Sequence, residues 1–284
     1  MNVEYNIITI NKLTNYLTPI KLIGKGSYGH VYELKETNYV IKLYYDDDDT
    51  DNLYDEYNIV SKILNFTKNR SDKTNISNII NYIAVGKILN VFTFDKIKYP
   101  ENSLFIMMQK YKLAASFPYT VRKYINNFIS DIYNAFLQLY AITKYIHCDV
   151  KLNNIYLDFK FSPPKFLLGD YTLVQKLKKN TTIFESYNKY YIHPYNNDNN
   201  YKLYNLPIYS LGITSLESYM DINYKSKLYN ICYENITDLN KYINLLLDDN
   251  KHKMSTEIYQ LLKNMIDNKY NIFNFNKPIT YKYN

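Results

Sequence analysis

The 284 residues carry 34 Lys and Arg against 27 Asp and Glu, a formal charge of +7, with 46% apolar and 21% charged residues. That balance excludes global disorder, and no apolar run approaches the ~18 residues a membrane helix needs, so no membrane partner is expected. Two cysteines, Cys148 and Cys232, are too few for a disulfide framework in a chain of this size. They fit a reducing compartment, and the cytoplasm is the expected location. The first ten residues, MNVEYNIITI, lack the basic start and long apolar stretch of a signal peptide. Arginine occurs only at Arg70 and Arg122, leaving 32 of the 34 basic residues as lysine. Binders of nucleic acid favour arginine forks for phosphates and guanines, so a nucleic-acid partner is not expected either. Mild basicity would help hold an acidic substrate or partner. Heavy use of Lys, Asn, Ile and Tyr without Trp reads as an AT-rich genome rather than as a functional signal.

From Lys21 to Tyr45 the pattern predicts strand, glycine-rich turn, strand, short turn and strand, with β-branched and aromatic residues on the flanks. The acidic run Asp46 to Asp51 reads as a solvated loop. A helix follows in LYDEYNIVSKIL, where Leu53, Tyr57, Val60 and Leu64 fall on one face. Residues 65–78 are polar and predict a loop or frayed helix end. Two more strands are expected around Ile88 to Phe94 and Leu104 to Met108. An amphipathic helix is expected from Tyr119 to Ile146, then two short strands, IYLDF and KFLLGDY, flanking Pro163 and Pro164. A polar segment to about Tyr204 leads into alternating helices and Asn- and Asp-rich turns. The order is β-rich first and α-rich second, an α+β plan in two lobes with the crossover near Gln109 to Lys112. One domain over 1–284 is expected, with a small lobe of 1–110 and a large lobe of 111–284.

Gly24-Lys25-Gly26-Ser27-Tyr28-Gly29, followed by His30 and Val31, matches G-x-G-x-x-G, a weak signal alone. It fits a nucleotide loop, a dinucleotide-binding turn or a plain glycine-rich hairpin. A dinucleotide fingerprint opens a helix, whereas strand-like VYEL follows here, so a flap over phosphates between antiparallel strands is favoured. Lys42, thirteen residues after Gly29 on the next strand, reads either as a snorkelling edge lysine or as a phosphate ligand. Glu56 on the following helix would hold its ammonium. Asp55, about 100° away around the helix, is the competing partner.

The most specific segment is His147-Cys148-Asp149-Val150-Lys151-Leu152-Asn153-Asn154, with Gly169-Asp170-Tyr171 further on and Asp170 sixteen residues after Asn154. The spacing H-x-D-x-K-x-x-N followed by an aspartate-aromatic pair resembles the catalytic loop and metal-binding motif of eukaryotic-type protein kinases. The resemblance covers roughly Ile20 to Glu217. It implies a two-lobed fold, protein substrates, ATP and Mg2+. Asp149 would be the base that accepts the substrate hydroxyl proton, and Lys151 would steady the transferring phosphoryl group. Asn154 and Asp170 would ligate magnesium. Gly24, Gly26, Gly29, Lys42 and Glu56 would serve the phosphates, Val31 would be a further nucleotide contact, and Met108 would precede the hinge, with Gln109 to Tyr111 along the adenine edge. Val40 and Tyr156 would enclose the ring, both larger than usual. Lysine two residues after the base is the serine/threonine form, so Ser and Thr hydroxyls of protein substrates are the expected acceptors.

Departures accompany the match. Cys148 replaces the arginine that would receive a phosphorylated activation loop, and Thr172 replaces the glycine of the metal-binding motif. Tyr191-Ile192-His193-Pro194-Tyr195 resembles the end of the activation segment with Tyr195 in place of glutamate. Pro207 stands where the family has an aspartate bracing the catalytic loop, so another group must hold that loop. Such losses resemble those of casein-kinase-like and poxvirus kinases, and with the composition they suggest a divergent viral enzyme of the host cytoplasm or one from an AT-rich parasite. The alternatives are a pseudokinase or ATP-binding scaffold acting through protein contacts, and a small-molecule phosphotransferase of related fold.

Overall fold

A computed structural model describes residues 19–26, 28–45, 50–68, 78–88, 91–94, 96–176, 205–220, 236–267, 269–271 and 275. These form two compact units. The first runs from Pro19 to Lys68 and from Ile80 to Tyr111, and the second holds Asn78, Ile79 and the residues from Lys112 onward. Among the described residues, no helix is long and apolar enough to cross a membrane.

The first unit is built on strands β1 (Pro19–Lys25), β2 (Gly29–Leu34), β3 (Tyr39–Tyr44), β4 (Tyr82–Lys87) and a two-strand hairpin, β5 (Phe92–Phe94) and β6 (Ile97–Tyr99), with β7 (Leu104–Gln109). Five of them make one antiparallel sheet in the order β1-β2-β3-β7-β4. Val31 faces Lys42 and Lys42 faces Ile106, while Val40 faces Met108. Residues opposite one another, or two apart on a strand, share a face. Val31, Val40, Lys42 and Met108 therefore line one side. On the other side Tyr32, Leu34, Ile41, Leu43, Phe105 and Met107 close a core with Ala84, Ile88 and Tyr99. Polar groups inside that core are paired. The buried His30 ring meets Tyr99 Oη through Nδ1 and Tyr45 Oη through Nε2, each at 2.8 Å, and Tyr32 Oη meets Tyr99 Oη at 2.9 Å. Burial pushes the Tyr99 phenol upward.

Helix α1 (Thr50–Lys68) packs on β4 and β7. Its buried stripe is Glu56, Ile59, Val60, Ile63 and Leu64, a 3.6-residue pattern. Val60 and Leu64 belong to the face expected from sequence. Tyr57 is only half-buried, because the helix is turned to bring Glu56, Ile59 and Ile63 inward; the Leu53 side chain lies outside the described residues. The helix also takes in Thr50 and Asp51, expected to lie in a solvated loop, and its end over residues 65–68 agrees with the helix end allowed there. Asp46–Asp49 and residues 69–77 lie outside the described residues.

The strand expected at Ile88 to Phe94 is instead β4, ending at Lys87, with the short β5 after it. Gly86 hid it. A Cβ there would sit 2.7 Å from the Phe105 ring, so close packing puts a poor strand former inside a strand.

In the second unit the helix expected over Tyr119 to Ile146 is two helices and a strand. Helix α2 (Pro118–Lys123) ends at Tyr124, whose φ of −115° and ψ of 37° leave the helical region, and α3 (Ile125–Thr143) restarts beyond it. Lys144 then adopts a left-handed φ of 65°, which lets the chain turn into β9 (Tyr145–His147). Short β8 (Lys112–Leu113) joins β10 (Ile155–Asp158) and β11 (Lys165–Leu168) in a three-stranded sheet, and β12 (Val174–Lys176) pairs with β9. Among the described residues the helices α4 (Leu206–Glu217), α5 (Ile236–Asp249) and α6 (Thr256–Ile266) follow. All twelve residues of α4 are buried. A helix buried all round belongs in the middle of a unit, and Pro207 is tolerated because it lies in the first turn, where an N–H has no partner in the helix. The segments around Tyr187 to Tyr195, and Cys232, lie outside the described residues.

Candidate active site

In the first unit β3 and α1 bring together a lysine and a glutamate fourteen positions apart. Lys42 Nζ donates to Glu56 Oε2 at 2.7 Å, with side-chain exposures of 12% and 3%. Tyr44 Oη donates to the same oxygen at 2.5 Å, and Lys42 Nζ lies 5.0 Å from the Tyr44 ring centroid. Of the two acids weighed for Lys42, Glu56 stands here because the rotation of α1 turns it inward. Tyr44 was missed, although it lies two residues from Lys42 and a strand repeats every two. Val40 and Met108 are buried on the Lys42 face, and Val31 is half-buried there. The backbone amides of Gln109 and Lys110 donate to Asn81 O and Asn38 O, each at 2.9 Å, so a ligand at Gln109 meets its carbonyl or side chain.

The three glycines differ in what they are for. A Cβ on Gly29 would lie 2.3 Å from Leu43 O, so close strand packing demands glycine there. On Gly24 the nearest atom would be Val31 Cβ at 3.6 Å and on Gly26 Gly29 O at 3.8 Å, ordinary contacts, and no described glycine has a positive φ. The fold itself has no need of glycine at 24 or 26. Glycine at these two positions leaves the backbone open to close approach, as a phosphate-covering loop would need. Gly29→Ala is expected to destabilise the protein by about 1–3 kcal/mol through overpacking. Gly24→Ala should leave the unfolding midpoint near wild type but shrink the nucleotide-induced thermal shift. Thermal melts with and without Mg-ATP check both.

In the second unit one short loop organises three polar side chains. Asp149 Oδ2 accepts from Lys151 Nζ at 2.6 Å and from Asn154 Nδ2 at 2.8 Å, and the Asn154 amide also reaches Asp149 O at 2.8 Å. Asp149 and Asn154 are buried. With its NH2 spent on Asp149, Asn154 keeps its amide oxygen as the atom able to coordinate a cation. Asp170 has a left-handed φ of 60°, uncommon for a residue with a side chain. The Thr172 hydroxyl donates to Asp170 Oδ1. Tyr156 is half-buried on β10, opposite Leu113 and Leu167.

His147 joins the two segments. Its Nδ1 accepts from Asp149 N and its Nε2 contacts Gly169 O, both at 3.2 Å. Nδ1 as acceptor and Nε2–H as donor define one neutral tautomer. Burial holds the imidazole below its ordinary value, against the opposing pull of Asp149. An unfolded histidine takes a proton near pH ~6.5 that the folded one refuses, so this contribution is complete above that pH. It is lost as pH falls below it, by up to about 1.4 kcal/mol per pH unit. Urea titrations from pH 7.5 to 5.0 are expected to show a steeper acid loss for wild type than for His147→Gln; parallel curves would contradict it.

A divalent cation suits this donor set. Among the described residues no three His, Cys, Asp or Glu side chains gather into a metal cage. Mg2+ is ordinarily held by one or two protein oxygens together with phosphates and water, which Asp170 and the Asn154 amide oxygen can supply. No curated protein matches the chain. The family model for the protein kinase domain matches residues 17–271, spanning both the Lys42–Glu56 pair and the Asp149 loop. The antiparallel sheet followed by a mainly helical unit is the two-lobed α+β architecture of that family. The chain therefore belongs to the protein kinase family, whose members carry phosphoryl groups to protein substrates.

Proposed function

We propose that the protein is an active serine/threonine kinase that uses ATP and Mg2+, with Asp149 as its base. The observation that carries this reading is the pair of donors on one oxygen of Asp149. Lys151 and Asn154 fix the carboxylate in one orientation, as a group that must meet a substrate hydroxyl requires. The roles follow from the chemistry. Lys42, steadied by Glu56, presents a compact positive charge to the α- and β-phosphates. Asp149 orients the acceptor hydroxyl and takes its proton, while Lys151, charged and adjacent, offsets the negative charge spread over the transferring group. Bound Mg2+, held by Asn154 and Asp170, would neutralise charge on the phosphates. In the first unit Val31, Val40 and Met108 supply apolar surface for the adenine ring, and Gln109 its polar edge. The preference for Ser and Thr over Tyr rests on Lys151 standing two residues after the base.

A second reading, a nucleotide-binding scaffold, is favoured by one observation. The Thr172 hydroxyl engages Asp170 Oδ1 and so competes with a metal for that oxygen. Purified protein incubated with Mg-ATP and casein or basic proteins separates the two. Phosphoserine or phosphothreonine in the products is the expected result, and phosphotyrosine alone would overturn the acceptor assignment. Thermal stabilisation by nucleotide without any transfer would establish the scaffold instead.

A further inference from the structure

The loop Cys148–Lys151 belongs to no helix or strand, so its buried backbone groups need partners outside a ladder. Several are paired with groups nearby in space. Cys148 N donates to Leu173 O at 2.9 Å, Asp149 N to His147 Nδ1, and Asp149 O accepts from Asn154. The carbonyl of Val150, a residue with 0% exposure, is different. It accepts from Thr214 Oγ1 at 2.9 Å, a side chain 64 positions later in the middle of α4.

Thr214 is itself 0% exposed, and its hydroxyl also lies 2.7 Å from Ser210 O, one turn back in its own helix. One proton is thus shared between two carbonyl oxygens. A hydroxyl inside a helix is already satisfied by the carbonyl four residues earlier. Ser215, next in sequence and equally buried, bonds to Leu211 O at 2.7 Å in that way. The helix does not need the second acceptor at Thr214, whereas the loop does. Pro207, in the first turn of α4, has neither an N–H nor a side-chain donor to offer.

We propose that Thr214 is a positioning residue, its hydroxyl tying the carbonyl of Val150 to helix α4 and so fixing the adjoining Asp149 carboxylate in place. The inference rests on the phosphotransfer reading above. A helix buried over its whole length makes a stiff mount, and an error of about 1 Å in placing a reacting group can cost ~100-fold in rate.

The test compares Thr214→Val, which removes the hydroxyl at similar volume, with Thr214→Ser, which keeps it, and with Ser215→Ala as a control in the same helix. Amide hydrogen exchange of residues 148–154 is read without nucleotide, alongside kcat and the KM for ATP. In Thr214→Val, exchange in the loop should quicken, and kcat should drop roughly 10- to 100-fold with KM within about twofold. Thr214→Ser should restore both, and Ser215→Ala should match wild type. Should Thr214→Val not fold, Thr214→Ala is read on the same criteria. Wild-type exchange and kcat in the variant lacking the hydroxyl would overturn the proposal, as would a serine variant as impaired as the valine one. If wild type transfers no phosphate, the functional reading fails, while loop exchange still decides whether the tie exists.

Discussion

Asp149→Asn is expected to give a folded protein whose phosphotransfer is slower by about 10²–10⁴, the usual contribution of a general base. The substitution keeps size and shape, and the asparagine oxygen can still accept from Lys151 or Asn154, the two donors that hold Asp149 Oδ2. What disappears is the negative charge and the ability to take a proton. The fall should therefore appear in kcat with little change in the KM for ATP, and nucleotide should stabilise the variant as it does wild type. Incorporation of labelled phosphate, run beside thermal melts, checks both halves. Activity equal to wild type would mean that the base is another residue.

Lys42→Met is expected to have the largest effect on stability and also to abolish stabilisation by nucleotide. Glu56 has a residue exposure of 2%, and the substitution leaves its carboxylate buried without the ammonium 2.7 Å away. Removing one member of a buried ion pair costs about 3–5 kcal/mol, because the remaining charge still pays desolvation. Glu56→Gln should cost less, since the Lys42 side chain is 12% exposed and its ammonium can turn toward water, while the glutamine oxygen can still accept from Tyr44. The double variant Lys42→Met/Glu56→Gln should recover part of the loss, as no buried charge is then orphaned. Urea midpoints for the four proteins form a closed cycle. Equal losses for Lys42→Met and the double variant would show that packing, not charge, accounts for the effect. Nucleotide-induced stabilisation that survives Lys42→Met would remove Lys42 from the proposed phosphate contacts.

Spacing along the chain is readable where the relevant contacts are local. The Lys151 and Asn154 bonds to Asp149 span two and five residues, and the loop that makes them is compact enough for its sequence alone to imply it. The β2–β3 hairpin is similarly short-range, with its two strand-like runs and short turn visible in the letters, while the faces taken by Val40 and Lys42 and by Ile41 and Leu43 came from the pairing. Elsewhere local pattern was ambiguous. Tyr119 to Ile146 carries a continuous amphipathic signal, yet the backbone breaks at Tyr124 and leaves the helix at Lys144. Such breaks depend on what the two helices must pack against, which periodicity does not contain.

Composition, the strand-turn-strand opening and the order of the polar motifs are determined by sequence itself, because residue type and short separation suffice for them. Tertiary structure alone decided that Glu56 rather than Asp55 turns inward, that Gly86 lies under Phe105, and that Thr214 reaches Val150. Each of these is a choice of face or a meeting of distant segments. Neighbours that become adjacent only when the chain packs leave no periodic trace in the order of residues.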